Sequence, residues 1–551
     1  MIEGFEKQFA DIVLAEFGAK VDVKVTRTDE LHGDLATNVA MVLAGKVGQN
    51  PREIAEKLAG RISNLDGIKS AEVAGPGFIN VRLADNEIYR QIHWEKQKIE
   101  GEKVLLEYSC PNAFKELHTG HLYQTLIGDS MGRVYEFCGA EIVRTSFGGD
   151  VGLHAGKCMW GILQALGSEN PEKLNEVEDR PGFISKAYVH GSKMYEQDEN
   201  IKAEIDALNK KIYSLFESGD RESSFAQIYF TTRQWSYDYF DKFYESISAS
   251  PFDAYYPESQ TMEPGLATVK SHPEIFTESD GAVVLDESKS GLHTRVFVTS
   301  AGLPTYETKD LGVISLETEQ FNYDKRIIMT GNDQSEYMKV VFKAVELVDP
   351  ELGAKQNHIA NGTVRFGDGK KMSSRLGNVS KATDVIKGVE EAVSHEDPKT
   401  RSDIALGAIK YSMLKARVGG DIAFDLDQSI STEGNSGPYL QYALVRARSI
   451  LRKAGQVEDV LSIEEFDENE RRLALKMTEM PEVLSETIND FSPHHICTYL
   501  YELASVFNRF YEVSRVIDDP RSKIRLKLVN HYEQTLALGL ELLGVPMPEA
   551  M

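Results

Sequence analysis

The chain has 551 residues and a formal net charge of −25 at pH 7. That is enough length for about two to four cores, and enough acidity to argue, taken alone, against a nucleic-acid partner, whose phosphates are met by Lys and Arg. No apolar run approaches the roughly 20 residues that cross a bilayer, so no membrane partner is expected. The four cysteines, Cys110, Cys138, Cys158 and Cys497, show no CxxC spacing; buried free thiols are expected rather than a disulfide framework, and no metal site.

The opening stretch MIEGFEKQFADIVLAEFG is acidic and amphipathic. It has neither the Arg-rich look of a transit peptide nor the apolar block of a signal peptide, so a cytoplasmic protein is expected. Residues 1–95 mix both kinds of element, with strands predicted at Val21 to Thr26 and Gly77 to Leu83 around an amphipathic segment from Ala36 to Ile62. From 101 the order is strand (KVLL), helix (LYQTLIGDSMGRVYEFCG), strand (AEIVRTSF) and a Gly-Asp loop, the first half of a doubly wound nucleotide-binding fold. Residues 166–250 are rich in Glu, Lys, Asp and Tyr with helical periodicity, and read as a helical insertion serving as a structural connector. The runs GAVVLDE, TRVFVTS and KRIIMTG predict the strands of the second half, over 251–345. Residues 411–551 read as helix almost throughout. The expected fold class is a multidomain α/β protein: an N-terminal α+β domain (1–95), a doubly wound, Rossmann-like catalytic domain (100–410) and a C-terminal all-α bundle (411–551).

Two motifs carry chemistry. EYSCPNAFKELHTGH, at 107–121, sits where the KVLL strand turns into a helix. Gly120 permits a close approach to the backbone, the helix start offers free N–H groups and a positive dipole end, and His118 and His121 can donate to phosphate oxygens. A nucleoside triphosphate is the expected ligand. Far downstream, GKKMSSRLGN at 369–378 reads as a basic, glycine-flanked loop.

HxGH after a strand, followed far along the chain by KMSS, resembles the paired nucleotide-binding motifs of class I aminoacyl-tRNA synthetases. SCPNAFKELHTGHL, with Asn112 and Lys115 ahead of HTGH, looks like the arginyl-tRNA synthetase version. FGGDVG, PTYETKDLG, TGNDQSEYM and EGNSGPYLQYALVRARSILRKA fit the same family, and HGDLATNVAMVLAGKVGQNPREIAEKLA looks like its N-terminal domain. The resemblance implies ATP with Mg2+, arginine and tRNA(Arg) as reactants; a monomer is expected, though no motif carries the oligomeric state. It implies ATP binding by His118, Gly120, His121, Lys371, Met372, Ser373 and Ser374, with catalysis by His118, His121, Lys115 and Lys371. Many class I synthetases have lysine where Ser374 stands; Lys115 occupies the place of a lysine thought to substitute for it in this family.

For arginine the resemblance implies Glu107, Asn112, Glu258, Tyr306, Asp310 and Gln334. Tyr306 and Asp310 lie four apart on a predicted helix, so both can face one pocket. Glu107 is near the end of a buried strand, where an unpaired carboxylate is costly, so a cationic partner is expected there. In the C-terminal bundle Leu440, Leu444, Ala447 and Leu451 form an apolar stripe, with Tyr439, Tyr442 and Arg446 on another face. Aromatics beside arginine can stack unpaired bases, and the family places its anticodon contacts on this segment. A nucleotidyltransferase without RNA would explain HTGH but neither KMSS nor the bundle; a cysteine-specific synthetase would carry zinc-ligand cysteines.

Overall fold

The computed structural model describes the whole chain except residues 1, 29, 93–98, 100, 289–290, 367–380, 456, 458–462 and 464. The loop residues Lys371, Met372, Ser373 and Ser374 therefore lie outside the described residues. The chain divides into two compact units, one formed by Met1–Gln97, Tyr442–Ser485 and Thr498–Gly539, the other by Lys98–Gln441, Glu486–Cys497 and Leu540–Met551. Among the described residues no helix is long and apolar enough to cross a membrane.

The first unit begins with α1 (Ile2–Phe17) and contains a four-stranded antiparallel sheet of β1 (Val25–Arg27), β2 (Leu35–Thr37), β3 (Ile68–Ala74) and β4 (Phe78–Leu83), in the order β1-β2-β4-β3. Of the strand predicted from Val21 to Thr26, only the last two residues pair. Helices α2 (Val39–Val47) and α3 (Pro51–Ile62) follow β2, and α4 (Asp85–Ile92) follows β4. Helix α3 starts where the sequence says it should: Asn50 caps the backbone N–H of Arg52 and Pro51 occupies the first turn. Arg471, on the helix Glu468–Met477, makes two 2.7 Å bonds to Asp34 and one of 2.9 Å to Asp85.

The second unit holds a five-stranded parallel sheet. Its strands are β5 (Lys103–Glu107), β6 (Glu141–Gly148), β7 (Ala254–Pro257), β11 (Lys325–Gly331) and β12 (Gln356–Asn361), in the order β12-β11-β5-β6-β7. The chain starts at the centre, works out to one edge, then returns to the other side of β5. This is the doubly wound topology, and its switch point lies between β5 and β11. Val104, Leu105 and Leu106 are buried because both faces of the sheet are covered. Helix α5 (Thr119–Phe137) connects β5 to β6.

Between β6 and β7 come α6 (Leu153–Leu166), α7 (Arg180–Gln197), α8 (Glu199–Ser218) and α9 (Ser224–Ser246), the helical insertion expected from composition. It has its own core, including Met159, Ile162, Ile212, Phe225 and Tyr229, into which Ala113 and Phe114 are set. Helix α10 (Glu258–Ser271) then leads to β8 (Thr277–Ser279), β9 (Ala282–Leu285) and β10 (Arg295–Val298). These three form a separate antiparallel sheet with a register shift between Val296 and Val298.

That corrects the sequence reading. GAVVLDE and TRVFVTS are strands, but not of the nucleotide-binding sheet, which KRIIMTG alone of the three joins. Each is buried at only one end, whereas an interior parallel strand is buried on both faces, and short apolar runs do not report which sheet they enter. The two sheet strands that escaped notice, AYYP and QNHIAN, lie at the sheet edges, where one-sided cover permits polar residues. Helix α11 (Tyr306–Phe321) precedes β11, and α12 (Ser335–Val348) lies between β11 and β12.

Candidate active site

Of the predicted residues that the structure describes, HTGH follows the carboxyl end of β5 and the arginine set lies at the carboxyl ends of β5 and β11, beside the switch point. The chain leaves β5 through a tight turn in which Ser109, Cys110 and Phe114 all have positive φ, and reaches α5 with His118 as its N-cap. His118 Nδ1 accepts from the backbone N–H of Gly120 at 3.0 Å and of His121 at 3.4 Å; His121 Nδ1 accepts from the N–H of His118 at 3.1 Å. The imidazoles stack with centroids 3.7 Å apart.

Two expectations change here. The N–H groups of Gly120 and His121 do not await an anion, because the histidines use them. What the turn offers instead is a pair of Nε2–H donors, since a ring nitrogen that accepts carries no proton. Gly120 is required less by a ligand than by His118: a Cβ there would lie 2.8 Å from its Cε1. Burial, followed by the charges of His118 and Lys115, pushes His121 down to about 3. Burial and Lys115 lower His118 as well. Both rings are thus neutral at pH 7, with fixed tautomers.

The residues that follow the undescribed loop return to this turn. Lys381 pairs with His118 in an isolated antiparallel bridge, the N–H of Ala382 donates to the Leu117 carbonyl at 2.9 Å, and Lys381 Nζ lies 2.5 Å from Glu116 Oε2. Lys381 and Ala382 are thus bound to the residues just before and at the start of HTGH.

Next to the turn is a cavity of about 490 Å³. Glu107, Asn112, Glu258, Tyr306, Asp310 and Gln334, drawn from β5 and its turn, α10, α11 and the turn after β11, all line it. Tyr306 stands at its mouth, 64% exposed, while Asp310, one turn further along α11, is 6% exposed. The hydroxyl of Tyr337 donates to Asp310 Oδ2. Burial pushes Asp310 up to about 7, against the pull of Tyr337 and Arg326. Glu258 accepts from Lys309 Nζ at 2.6 Å, and burial raises it too.

The cationic partner expected for Glu107 is internal. Arg326, 0% exposed and the second residue of β11, donates to Glu107, and its Nε donates to Glu317 at 2.6 Å. Burial outweighs Arg326 and holds Glu107 up, near about 8. Glu107 thus forms the cavity floor, and Asp310 lines the cavity with, among the described residues, only the Tyr337 hydroxyl as its side-chain hydrogen-bond donor.

On the side nearest HTGH, Asn112 Oδ1 accepts from the N–H of Gly149 at 2.8 Å, which leaves its amide hydrogens for a ligand. A Cβ on Gly149 would lie 2.6 Å from Asn112 Oδ1, 3.0 Å from His154 Cε1 and 3.1 Å from Glu258 Oε1, so a larger residue there would displace these site side chains.

Sequence reasoning missed Arg326, Tyr337, Lys309 and His154. Arg326 left a signal, a charge inside an apolar strand. Tyr337 stands in TGNDQSEYM, three residues after Gln334, with no pattern of its own that marks it. His154 bonds the Gly149 carbonyl at 3.2 Å and is pushed down to about 4 by burial and Lys115.

In the C-terminal segment, Leu440, Leu444 and Ala447 are buried, as the apolar stripe predicts. Tyr439 is half-buried, and Tyr442 is 45% exposed. Arg446 lies with its guanidinium carbon 4.4 Å from the Tyr511 ring centroid. Tyr511 was not foreseen.

The family model described as the catalytic domain of class I (R) tRNA synthetases matches residues 84–426, a span that holds the HTGH turn and the five-stranded sheet. The arginyl-tRNA synthetase N-terminal domain matches 2–83 and the DALR anticodon-binding domain matches 440–551. The arginine–tRNA ligase of Shewanella halifaxensis is 31% identical, over 98% of this chain and 97% of that one. That of Thermobifida fusca is 30% identical, over 94% of each. The solved arginyl-tRNA synthetase of Thermus thermophilus superposes with a TM-score of 0.81 at 26% identity, covering 100% of both chains. The chain belongs to the arginyl-tRNA synthetase family.

Proposed function

We propose that this chain activates arginine with ATP and transfers it to the 3′ end of tRNA(Arg). The observation that carries the reading is Asp310: a carboxylate buried in a cavity, bonded to the Tyr337 hydroxyl and, among the described residues, to no lysine or arginine. Leaving it uncompensated disfavours the ionised form, and a planar guanidinium restores that loss through paired N–H donors. The cavity orients the substrate. Its guanidinium lies between Asp310, Tyr306 and the Glu107 floor; Gln334 and Glu258 take the ammonium end; Asn112 donates to the carboxylate. That places the carboxylate toward HTGH, where ATP is held.

The carboxylate oxygen attacks the α-phosphorus in line and pyrophosphate leaves, giving arginyl-adenylate; a ribose hydroxyl of the terminal adenosine then loses its proton as it attacks the arginyl carbonyl, the acyl–phosphate bond breaks and AMP leaves. The Nε2–H donors of His118 and His121 meet the charge that grows on the phosphate oxygens, preorganised because capping fixes their rings. Lys115 and Lys371 supply positive charge on the pyrophosphate side, and Met372, Ser373 and Ser374 complete the ATP-binding set that the resemblance implies. Mg2+ travels on the triphosphate, whose oxygens are its natural ligands. Tyr439, Tyr442 and Arg446 contact the anticodon loop. The modules at 1–95, 100–410 and 411–551 divide the work into tRNA binding, catalysis and anticodon reading, in a cytoplasmic monomer. Replacing arginine by citrulline, which has nearly the same shape without the charge, tests the pocket: no citrullyl-tRNA should form. Charging of citrulline at a rate near that of arginine would refute the assignment of Asp310.

A further inference from the structure

We propose that Tyr188, on the helical insertion, is a positioning residue that holds the Lys115 ammonium at the HTGH turn. The proposal rests on the reading that Lys115 meets phosphate charge. A lysine is a point charge on a flexible four-carbon stem, so its use in catalysis requires something to fix it. Lys115 Nζ lies 5.2 Å from the centroid of the Tyr188 ring. The neighbouring carboxylate, Glu116, is engaged elsewhere, accepting from the Ser185 hydroxyl and pairing with Lys381. An aromatic face attracts an ammonium without neutralising it. A carboxylate in the same place would fix Lys115 equally well but compete with the phosphate for it.

The insertion clamps the backbone on both sides of Lys115. Phe114 is buried in the insertion core with φ +65°, its ring 5.5 Å from Tyr229, and its N–H donates to Ser236 Oγ at 3.0 Å. Glu116 is tied to Ser185, which lies three residues before Tyr188 and so on the same face of α7. Lys115 is close enough to the reacting groups to press down the pKa of His118, His121 and His154. The insertion is therefore more than a connector: it aims the cation that replaces the missing second lysine of the KMSS loop.

The test uses the full chain and compares Tyr188→Leu, Tyr188→Phe, Lys115→Ala and the double variant Tyr188→Leu/Lys115→Ala. The readouts are single-turnover ATP cleavage with arginine and tRNA, the arginine KM, and the melting temperature. Loss of the aromatic face should slow the chemical step by about threefold to thirtyfold, with the arginine KM and melting temperature unchanged. Tyr188→Phe should keep the native rate. The double variant should be no slower than Lys115→Ala, because the two residues act as one unit. Should Tyr188→Leu fail to fold, Tyr188→Met fills the volume without a ring face.

A native rate in Tyr188→Leu beside a slow Lys115→Ala overturns the positioning role alone. So does a Phe variant as slow as Leu, or a double variant whose losses multiply. A fully active Lys115→Ala overturns the assignment of Lys115, and this inference with it.

Discussion

Asp310→Asn separates what the pocket does for catalysis from what it does to stability. The substitution keeps the side chain's size and an oxygen for the Tyr337 hydroxyl, and removes the charge. Truncating one partner of a buried, hydrogen-bonded charge pair costs about 2–5 kcal/mol, so kcat/KM for arginine should fall by roughly 30-fold to several thousandfold. The ATP KM should not move. The stability effect has the opposite sign. Burial raises the folded-state pKa of Asp310 from 3.8 to about 7. A carboxyl raised in this way contributes stability that is complete below about pH 4 and is lost as pH rises through 7. Three pKa units correspond to a loss on the order of 4 kcal/mol at pH 8. The neutral Asn escapes that loss, so the variant should melt higher than the native protein at pH 8 and no higher at pH 4. Steady-state charging kinetics and calorimetry on one preparation read both quantities. An unchanged kcat/KM, or a lower melting temperature at pH 8, would refute the reasoning.

Other consequences follow from the same geometry. Guanidinium binding needs ionised Asp310, so kcat/KM for arginine should fall about tenfold from pH 8 to pH 6; a flat profile would place the controlling group elsewhere. Lys115→Ala should slow the activation step by about 10²–10³-fold with arginine binding preserved, the usual loss for a donor aimed at developing charge; a full rate would move that role to Lys370, Lys371 or Arg375. Tyr442 is exposed, so Tyr442→Ala should weaken tRNA binding by about 1–3 kcal/mol at an unchanged melting temperature. A loss of stability with normal affinity in the folded fraction would remove it from the anticodon face.

The site was legible in sequence where chemistry is local and motif-borne. HTGH announces a strand-to-helix turn by its own pattern, and the wall residues Tyr306 and Asp310 announce a shared face by their spacing. What resisted reading depends on the third dimension. That His118 and His121 would take up the helix's own N–H groups follows from ring orientation, which spacing does not encode. That Glu107 would be served by Arg326 follows from the pairing of β11 with β5, two strands far apart in sequence. The runs GAVVLDE and TRVFVTS have the composition of sheet strands and belong to a different sheet, because partner choice is set by topology. By pattern Tyr442 leaves packing and RNA contact equally open; its exposure speaks against core packing, and the RNA contact rests on the resemblance. The insertion read as a connector because Ser185, Tyr188 and Ser236 carry no motif; their meaning comes from what they touch.

The central claim is that the acidic cavity beside HTGH selects arginine for transfer to tRNA. Aminoacylation of total tRNA with ATP and each of the common amino acids in turn tests it most directly. Arginine alone should be charged, onto the arginine-accepting tRNA. Preferential charging of any other amino acid, or none by the folded protein, would contradict the claim.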